Sequence, residues 1–269
     1  MQITFSSCFY IIKSKFSIET YINWMNNFIS IVNNFNLVIY TDENSSKYIN
    51  TRENPRIKIV IKPFYEFYNY KYKDYMIKNH EKNILLKDRI EWEVSMLWNE
   101  KIWFVNDTIK NNYFVSDFYG WCDIGYFRNN PHDMHTNNLS NWANKRKISF
   151  LNKSHIHYAC ICNNRSYMNY LNKIINEKND KGLPIQPIPP DQMSIAGGFF
   201  ILHIDKIDWW CKTFENKLKL YFENNYLVKD DQIILIDCIL SNETKNEFNI
   251  IKEMDPRFDN WFLFQRYLL

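Results

Sequence analysis

Short apolar segments alternate with helical segments along the N-terminal part of the chain, and this order constrains the fold more than any other feature. The segments are 3–12, 18–32, 37–40, 45–51 and 57–61. The first, third and fifth are rich in β-forming residues, whereas apolar residues recur every three or four positions in the second. A strand–helix–strand–helix–strand order predicts a parallel α/β sheet.

In open α/β sheets, ligands bind outside the carboxyl ends of the strands. Right-handed crossovers place the loops after the first two predicted strands at the same edge of the sheet. We therefore expect Ser6, Tyr10 and Asp42 to lie beside a binding crevice.

The remaining chain continues the mixture of strands and helices without a break in composition. Helices are predicted at 85–111, 139–144, 165–178, 205–224 and 230–240, strands within 117–128 and at 148–151, 156–162 and 194–204, and a proline-rich loop at 179–192. The central strand within 117–128 delivers a carboxylate, Asp123, to its tip. We predict one domain over 1–269 with a mixed, mostly parallel sheet flanked by helices.

Glycine is scarce, with five among 269 residues. The chain therefore contains neither a G-x-G-x-x-G dinucleotide fingerprint nor a phosphate loop. Four of the glycines fall in two segments, 120–125 and 196–198. Glycine that survives in such a chain marks positions where backbone geometry requires it, and we predict that the two segments are two walls of one site.

Charge and hydropathy exclude several classes of partner. The net charge is +3 with dispersed basic residues, which does not indicate a nucleic-acid partner. No apolar run approaches the length of a membrane span. The N-terminus lacks the basic region of a signal peptide, so we expect a cytoplasmic protein with reduced cysteines.

The segment 120–125 contains the strongest candidate for ligand chemistry. Asp123 at the mouth of a sheet can hold a divalent cation or a ribose hydroxyl. Gly125 permits close approach to the backbone, and Arg128 offers a fork of donors to phosphate. A strand end with an aspartate turn would explain the same residues.

Two later segments have equally open interpretations. Gly197 and Gly198 indicate a bulge or a close ligand, or tight aromatic packing. Asp231 and Gln232, after Asp230, fit either a helix N-cap or groups that face a polar substrate. A zinc site over 155–162 is disfavoured, because the histidines and cysteines point to opposite faces of a strand.

Five ordered segments together resemble the HtrL/YibB family, whose members are predicted to be glycosyltransferases of the GT-A fold. The segments are LVIYTDE (37–43), WNEKIWFVNDTI (98–109), FYGWCDIGYFR (118–128), AGGFF (196–200) and DDQIIL (230–235). The third, with its W-x-D-x-G-x-x-R pattern, is the most specific, and the resemblance covers about residues 1–240.

The resemblance implies a GT-A-like domain in which 1–128 binds a nucleotide sugar and 129–269 faces the acceptor. It implies that a donor contacts Ser6, Tyr10, Asp42, Lys101, Asp123, Gly125, Arg128, Gly197, Gly198 and Gln232. Asp123 would bind Mn²⁺ or Mg²⁺ beside the diphosphate, while Lys101 and Arg128 would neutralise phosphate charge. Gly125 occupies the position of the second carboxylate in D-x-D enzymes. Asp123 is then the one carboxylate of that motif that could coordinate the metal ion.

The implied reaction transfers a sugar from a nucleotide-diphosphate sugar, with a UDP-sugar favoured, to a hydroxyl of a glycan or protein acceptor. Such a reaction belongs to glycan or surface polysaccharide synthesis. For an inverting reaction Asp231 is the candidate base and Asp191 the second candidate; a retaining reaction needs none. Two alternatives remain open, a nucleotide-sugar hydrolase and a non-catalytic carbohydrate-binding or scaffold protein.

Overall fold

A computed structural model describes all residues, 1–269, and contains one seven-stranded sheet. The strands are β1 (Ile3–Phe9), β2 (Asn36–Thr41), β3 (Ile57–Ile61), β4 (Phe118–Cys122), β5 (Ile156–Cys160), β6 (Phe199–His203) and β7 (Phe248–Lys252). Their order across the sheet is β3-β2-β1-β4-β6-β5-β7.

Helices flank the sheet. They are α1 (Ile18–Ser30), α2 (Glu43–Ser46), α3 (Lys73–Lys82), α4 (Trp92–Lys110), α5 (Lys145–Ser149), α6 (Arg165–Asn176), α7 (Ile207–Glu223), α8 (Asp231–Leu240) and α9 (Leu263–Tyr267). Short 3-10 turns lie at Phe64–Glu66, Tyr68–Tyr72, Thr136–Asn138, Ile204–Lys206, Lys245–Glu247 and Asn260–Phe262. None of the helices combines the length and the hydropathy that crossing a bilayer requires.

The predicted α/β class with a mixed, mostly parallel sheet is confirmed. β1 pairs in parallel with β2 and β4, β2 with β3, and β5 with β7. β6 alone runs antiparallel to its neighbours β4 and β5. The amino end of β6 therefore lies at the same edge as the carboxyl ends of β1, β2 and β4, and strands from both predicted halves share one sheet.

The core lies on both faces of the sheet, as the alternation of side chains in β2 shows. Val38 and Tyr40 pack into the cluster that contains residues of α4, α7 and α8. Leu37 and Ile39 pack on the opposite face with residues of α1 and α9. A strand that is buried on both faces has the continuous apolar sequence seen in LVIY.

Several predicted element boundaries are wrong. Residues 148–151 are not a strand, because Asn144 caps α5 by accepting from the N–H groups of Arg146 and Lys147. The helix predicted at 139–144 is absent. Asp205 is not the cap of α7; its own N–H donates to His203 within a 3-10 turn.

The ends of three other elements differ in ways that bear on the site. α4 begins at Trp92 and not near residue 85. β6 begins at Phe199, so the glycine pair precedes the strand and does not interrupt it. β7, at the edge of the sheet, is a strand that the sequence pattern did not indicate.

Candidate functional site

A cavity of about 440 Å³ opens at the edge of the sheet where β1 and β4 end and β6 begins. The N-terminal half contributes Lys15, Lys101 and Asp123 to its wall. The C-terminal half contributes the glycine pair 197–198, the start of α8 and the segment before α9. Both halves of the chain therefore build one site, as the two glycine-containing segments predicted.

Lys101 is the centre of the polar wall. It lies on the sheet-facing side of α4 and is almost fully buried. Its Nζ donates to the Gly197 carbonyl at 2.8 Å and lies 3.0 Å from Asp231 Oδ2 and 3.3 Å from Asp123 Oδ1. Burial alone would lower the pKa of this ammonium, but the two carboxylates outweigh burial and raise the pKa above its ordinary value.

Asp123 follows the last residue of β4, so the sheet delivers its carboxylate to the cavity. Its N–H donates to the Gly198 carbonyl at 2.9 Å, which continues the antiparallel pairing of β4 with β6. The Trp121 indole donates to Oδ1 at 2.6 Å. The Asp123 side chain is nevertheless 41% exposed, which leaves it open to a ligand.

Asp231 is the first residue of α8, where the helix dipole favours negative charge. Its side chain is only 8% exposed. Burial raises the pKa of this carboxyl, Lys101 opposes that effect, and the neighbouring carboxylates Asp230 and Asp123 add to it. Gln232, the next residue, donates to the carbonyl of Ile195 and so ties α8 to the segment before β6.

Carboxylates pack directly against the glycine pair. A Cβ on Gly198 would lie 2.9 Å from Asp123 Oδ2. A Cβ on Gly197 would lie 2.9 Å from Asp231 Oδ2 and 3.1 Å from Gln232 Cγ. In this arrangement the two carboxylates occupy the space that a Cβ on either glycine would need.

An apolar compartment of about 130 Å³ adjoins the polar cavity. Its lining includes the aromatic residues Phe9, Tyr10, Phe16, Tyr21, Trp98 and Trp121. Phe16, Tyr21, Trp98, Lys101, Asp123, Gly125 and Arg128 line both spaces. One ligand with a flat apolar part and a polar part could therefore occupy both.

Two cations of the polar cavity, Lys15 and Arg128, have no carboxylate partner within 4.0 Å, and Arg128 also lines the apolar compartment. The Lys15 ammonium lies 4.6 Å above the Trp98 ring. The Arg128 guanidinium lies 4.2 Å above the Trp24 ring, and its Nε donates to the Gly125 carbonyl at 2.9 Å. Since neither charge is paired within the protein, both can attract an anionic ligand.

Some predicted site residues lie elsewhere. Ser6 is buried against α4, where its Oγ lies 2.7 Å from Thr108 Oγ1. Asp42 lines neither cavity and caps α2 by accepting from the Ser45 N–H at 2.7 Å. Asp191 is exposed and also lies outside both cavities. Tyr10 lines the apolar compartment, but its hydroxyl donates to the Lys62 carbonyl at 2.7 Å.

Other cavity residues were not singled out from the sequence. They include Lys15, Phe16, Trp98, Asp259 and Trp261. Lys15 and Phe16 follow β1 and so lie at the predicted edge of the sheet, which is the one signal that could have identified them. Trp261 comes from the C-terminal segment, whose position follows only from its long-range packing.

Asp230 and His157 both make contacts with neighbouring residues of the chain. Asp230 stands at the N-cap position of α8 but makes no capping bond; its carboxylate lies 3.1 Å from Lys229 Nζ. His157 Nε2 is 3.0 Å from the Asn152 carbonyl, and burial lowers the pKa of His157 to about 4. The structure contains no cluster of three metal-ligating side chains.

Comparison with known proteins finds no protein-family model that matches the chain and no curated protein with a significant match. The resemblance to the HtrL/YibB family stays a prediction.

Proposed function

We propose that the protein is a glycosyltransferase that takes a sugar from a nucleotide-diphosphate sugar and transfers it to a hydroxyl acceptor. The observation that carries this proposal is the shared wall of the two cavities. The unpaired cation Arg128 lines both the aromatic compartment and the polar cavity, and the polar cavity adds Lys15 and the carboxylates of Asp123 and Asp231. A nucleotide sugar has a flat base, an anionic diphosphate and a hydroxyl-rich sugar in the same order.

The donor would span both cavities. The base packs among the aromatic rings of the apolar compartment, such as Trp98. The diphosphate lies in the polar cavity near Lys15 and Arg128. The sugar lies against the backbone of the glycine pair, within reach of the Asp123 carboxylate. A UDP-sugar is the donor that we would test first.

The site has two tasks in this reaction: a carboxylate deprotonates the acceptor hydroxyl, and cations stabilise the diphosphate leaving group. Cleavage of the anomeric C–O bond leaves negative charge on the diphosphate, and fixed cations in the polar cavity stabilise that charge. In an inverting reaction Asp231 accepts the proton of the acceptor hydroxyl. Burial raises the pKa of Asp231, which brings this carboxylate nearer to the pKa that suits a general base at neutral pH.

The test is turnover of UDP-sugars with a panel of glycan acceptors, followed by NMR of the products. Asp231→Asn should reduce kcat by about 10²–10⁴, whereas Asp191→Asn should retain activity because its side chain is exposed outside both cavities. Release of free sugar without a glycosylated product would indicate a hydrolase. Full activity of Asp231→Asn would remove Asp231 as the base, and no turnover or nucleotide binding would contradict the proposal.

A further inference from the structure

Lys101 has the contacts of a counter-ion to Asp123 and Asp231. A lysine ammonium has three N–H donors, and Lys101 Nζ has three protein oxygens within 3.3 Å, from Asp123, Asp231 and Gly197. Its side chain is 8% exposed, so water has little access to it. We propose that this ammonium takes the place of a divalent cation between Asp123 and Asp231, so that nucleotide binding needs no such metal.

The oxygens around this ammonium suit a divalent cation poorly. Asp123 Oδ1 already accepts from the Trp121 indole and faces Lys101. Asp231 Oδ2 faces the same ammonium at 3.0 Å. A dication between the two carboxylates would therefore lie against a buried positive charge. The residues do not fit a bridging metal ion while Lys101 is charged.

A helix and a backbone carbonyl fix the position of Lys101. α4 carries it to the edge of the sheet, and the Gly197 carbonyl holds the ammonium from the β6 side. The two carboxylates beside the ammonium favour its charged form. Lys101 therefore acts as a positioning residue that fixes the two carboxylates, and Lys15 and Arg128 remain available to the diphosphate.

The consequence for nucleotide binding rests on the proposed function, but the decisive experiment uses the ligand-free protein. Mn²⁺ is titrated into the wild type and its free fraction is read by electron paramagnetic resonance. We expect no site in the wild type up to millimolar Mn²⁺. We expect Lys101→Ala to gain one equivalent of bound Mn²⁺, because two carboxylates then face each other without a cation.

Two variants make this result specific. Lys15→Ala removes a positive charge from the same cavity without opening the gap between the carboxylates, and it should gain no Mn²⁺ site. Lys101→Ala/Asp231→Asn should lose the gained site. Circular dichroism establishes that each variant is folded.

The wild-type titration tests the proposed replacement of a metal ion by Lys101 even if Lys101→Ala does not fold. A single Mn²⁺ site in the wild type that disappears in Asp123→Asn would overturn the proposal. A folded Lys101→Ala variant without a Mn²⁺ site would also overturn it. Failure of UDP to bind would refute the proposed function and leave the Mn²⁺ result readable.

Discussion

Replacing Lys101 by methionine removes the ammonium between two carboxylates and keeps a side chain of similar length. Asp231 is then left buried without a counter-ion, whereas the partly exposed Asp123 can recover solvation. Loss of one partner from a buried ion pair costs about 3–5 kcal/mol. We expect Lys101→Met to lower the free energy of unfolding by that amount.

A double-mutant cycle with Asp231→Asn isolates the interaction. Asparagine keeps an acceptor for Lys101 but removes the charge, so the single change should cost about 1–3 kcal/mol. In the double variant no unpaired charge remains at position 231. The double variant should therefore lose about 2 kcal/mol less unfolding free energy than the two single variants lose in total.

The assay is equilibrium unfolding in urea, with circular dichroism and tryptophan fluorescence as coincident probes. The matched control is the exposed pair Lys173–Glu177 on α6, at 3.7 Å with side chains 72% and 58% exposed. Its cycle, Lys173→Met with Glu177→Gln, should show a coupling of about 0.5 kcal/mol or less. Additive costs at Lys101 and Asp231 would refute the account of a buried, coupled cluster.

Further predictions concern the glycines and the pH dependence of stability. Gly198→Ala should reduce turnover of a UDP-sugar with little change in Tm, because its Cβ would lie 2.9 Å from Asp123 Oδ2, in a side chain that can move. Gly182→Ala should do the reverse and cost about 1–2 kcal/mol of stability without loss of activity, because Gly182 has φ of 79° in open space. Gly120→Ala should unfold or severely destabilise the protein, since its Cβ would overlap a backbone oxygen of β6. Burial raises the pKa of Glu100 to about 8, above about 4.3 in the unfolded chain. The native state therefore binds the extra proton, and Tm should fall as pH rises between these values, with a smaller slope in Glu100→Gln.

The part of the fold that could be predicted from sequence is the part with local signals. β1 and β2 are short apolar runs rich in β-forming residues, β3 alternates along its sequence, and α1 has helical periodicity. The crossover rule then gives the parallel order of the three strands. No local sequence pattern indicates that β6 runs antiparallel. The direction and the neighbours of β6 depend on which strand edges are free when the later strands pair. β7 was missed for the same reason.

The candidate site divides in a similar way. Asp123, the glycine pair and Asp231 were predicted to converge, and the structure places them around one ammonium. The contacts of Lys101 could not be predicted, since a lysine inside a helical pattern gives no sign of facing two carboxylates. Asp191 lies near the glycine pair in sequence, yet its side chain points to solvent.

Calorimetric titration of UDP into the wild type tests the central claim most directly. The claim is that the paired cavities at the carboxyl edge of the sheet bind a nucleotide diphosphate through Lys15 and Arg128. We predict one UDP per chain and binding weakened about tenfold or more in Lys15→Ala, the loss of one charge-assisted contact. The exposed Lys173→Ala should bind like the wild type. Absence of binding by UDP, GDP and CDP, or equal affinity in Lys15→Ala and the wild type, would contradict the account.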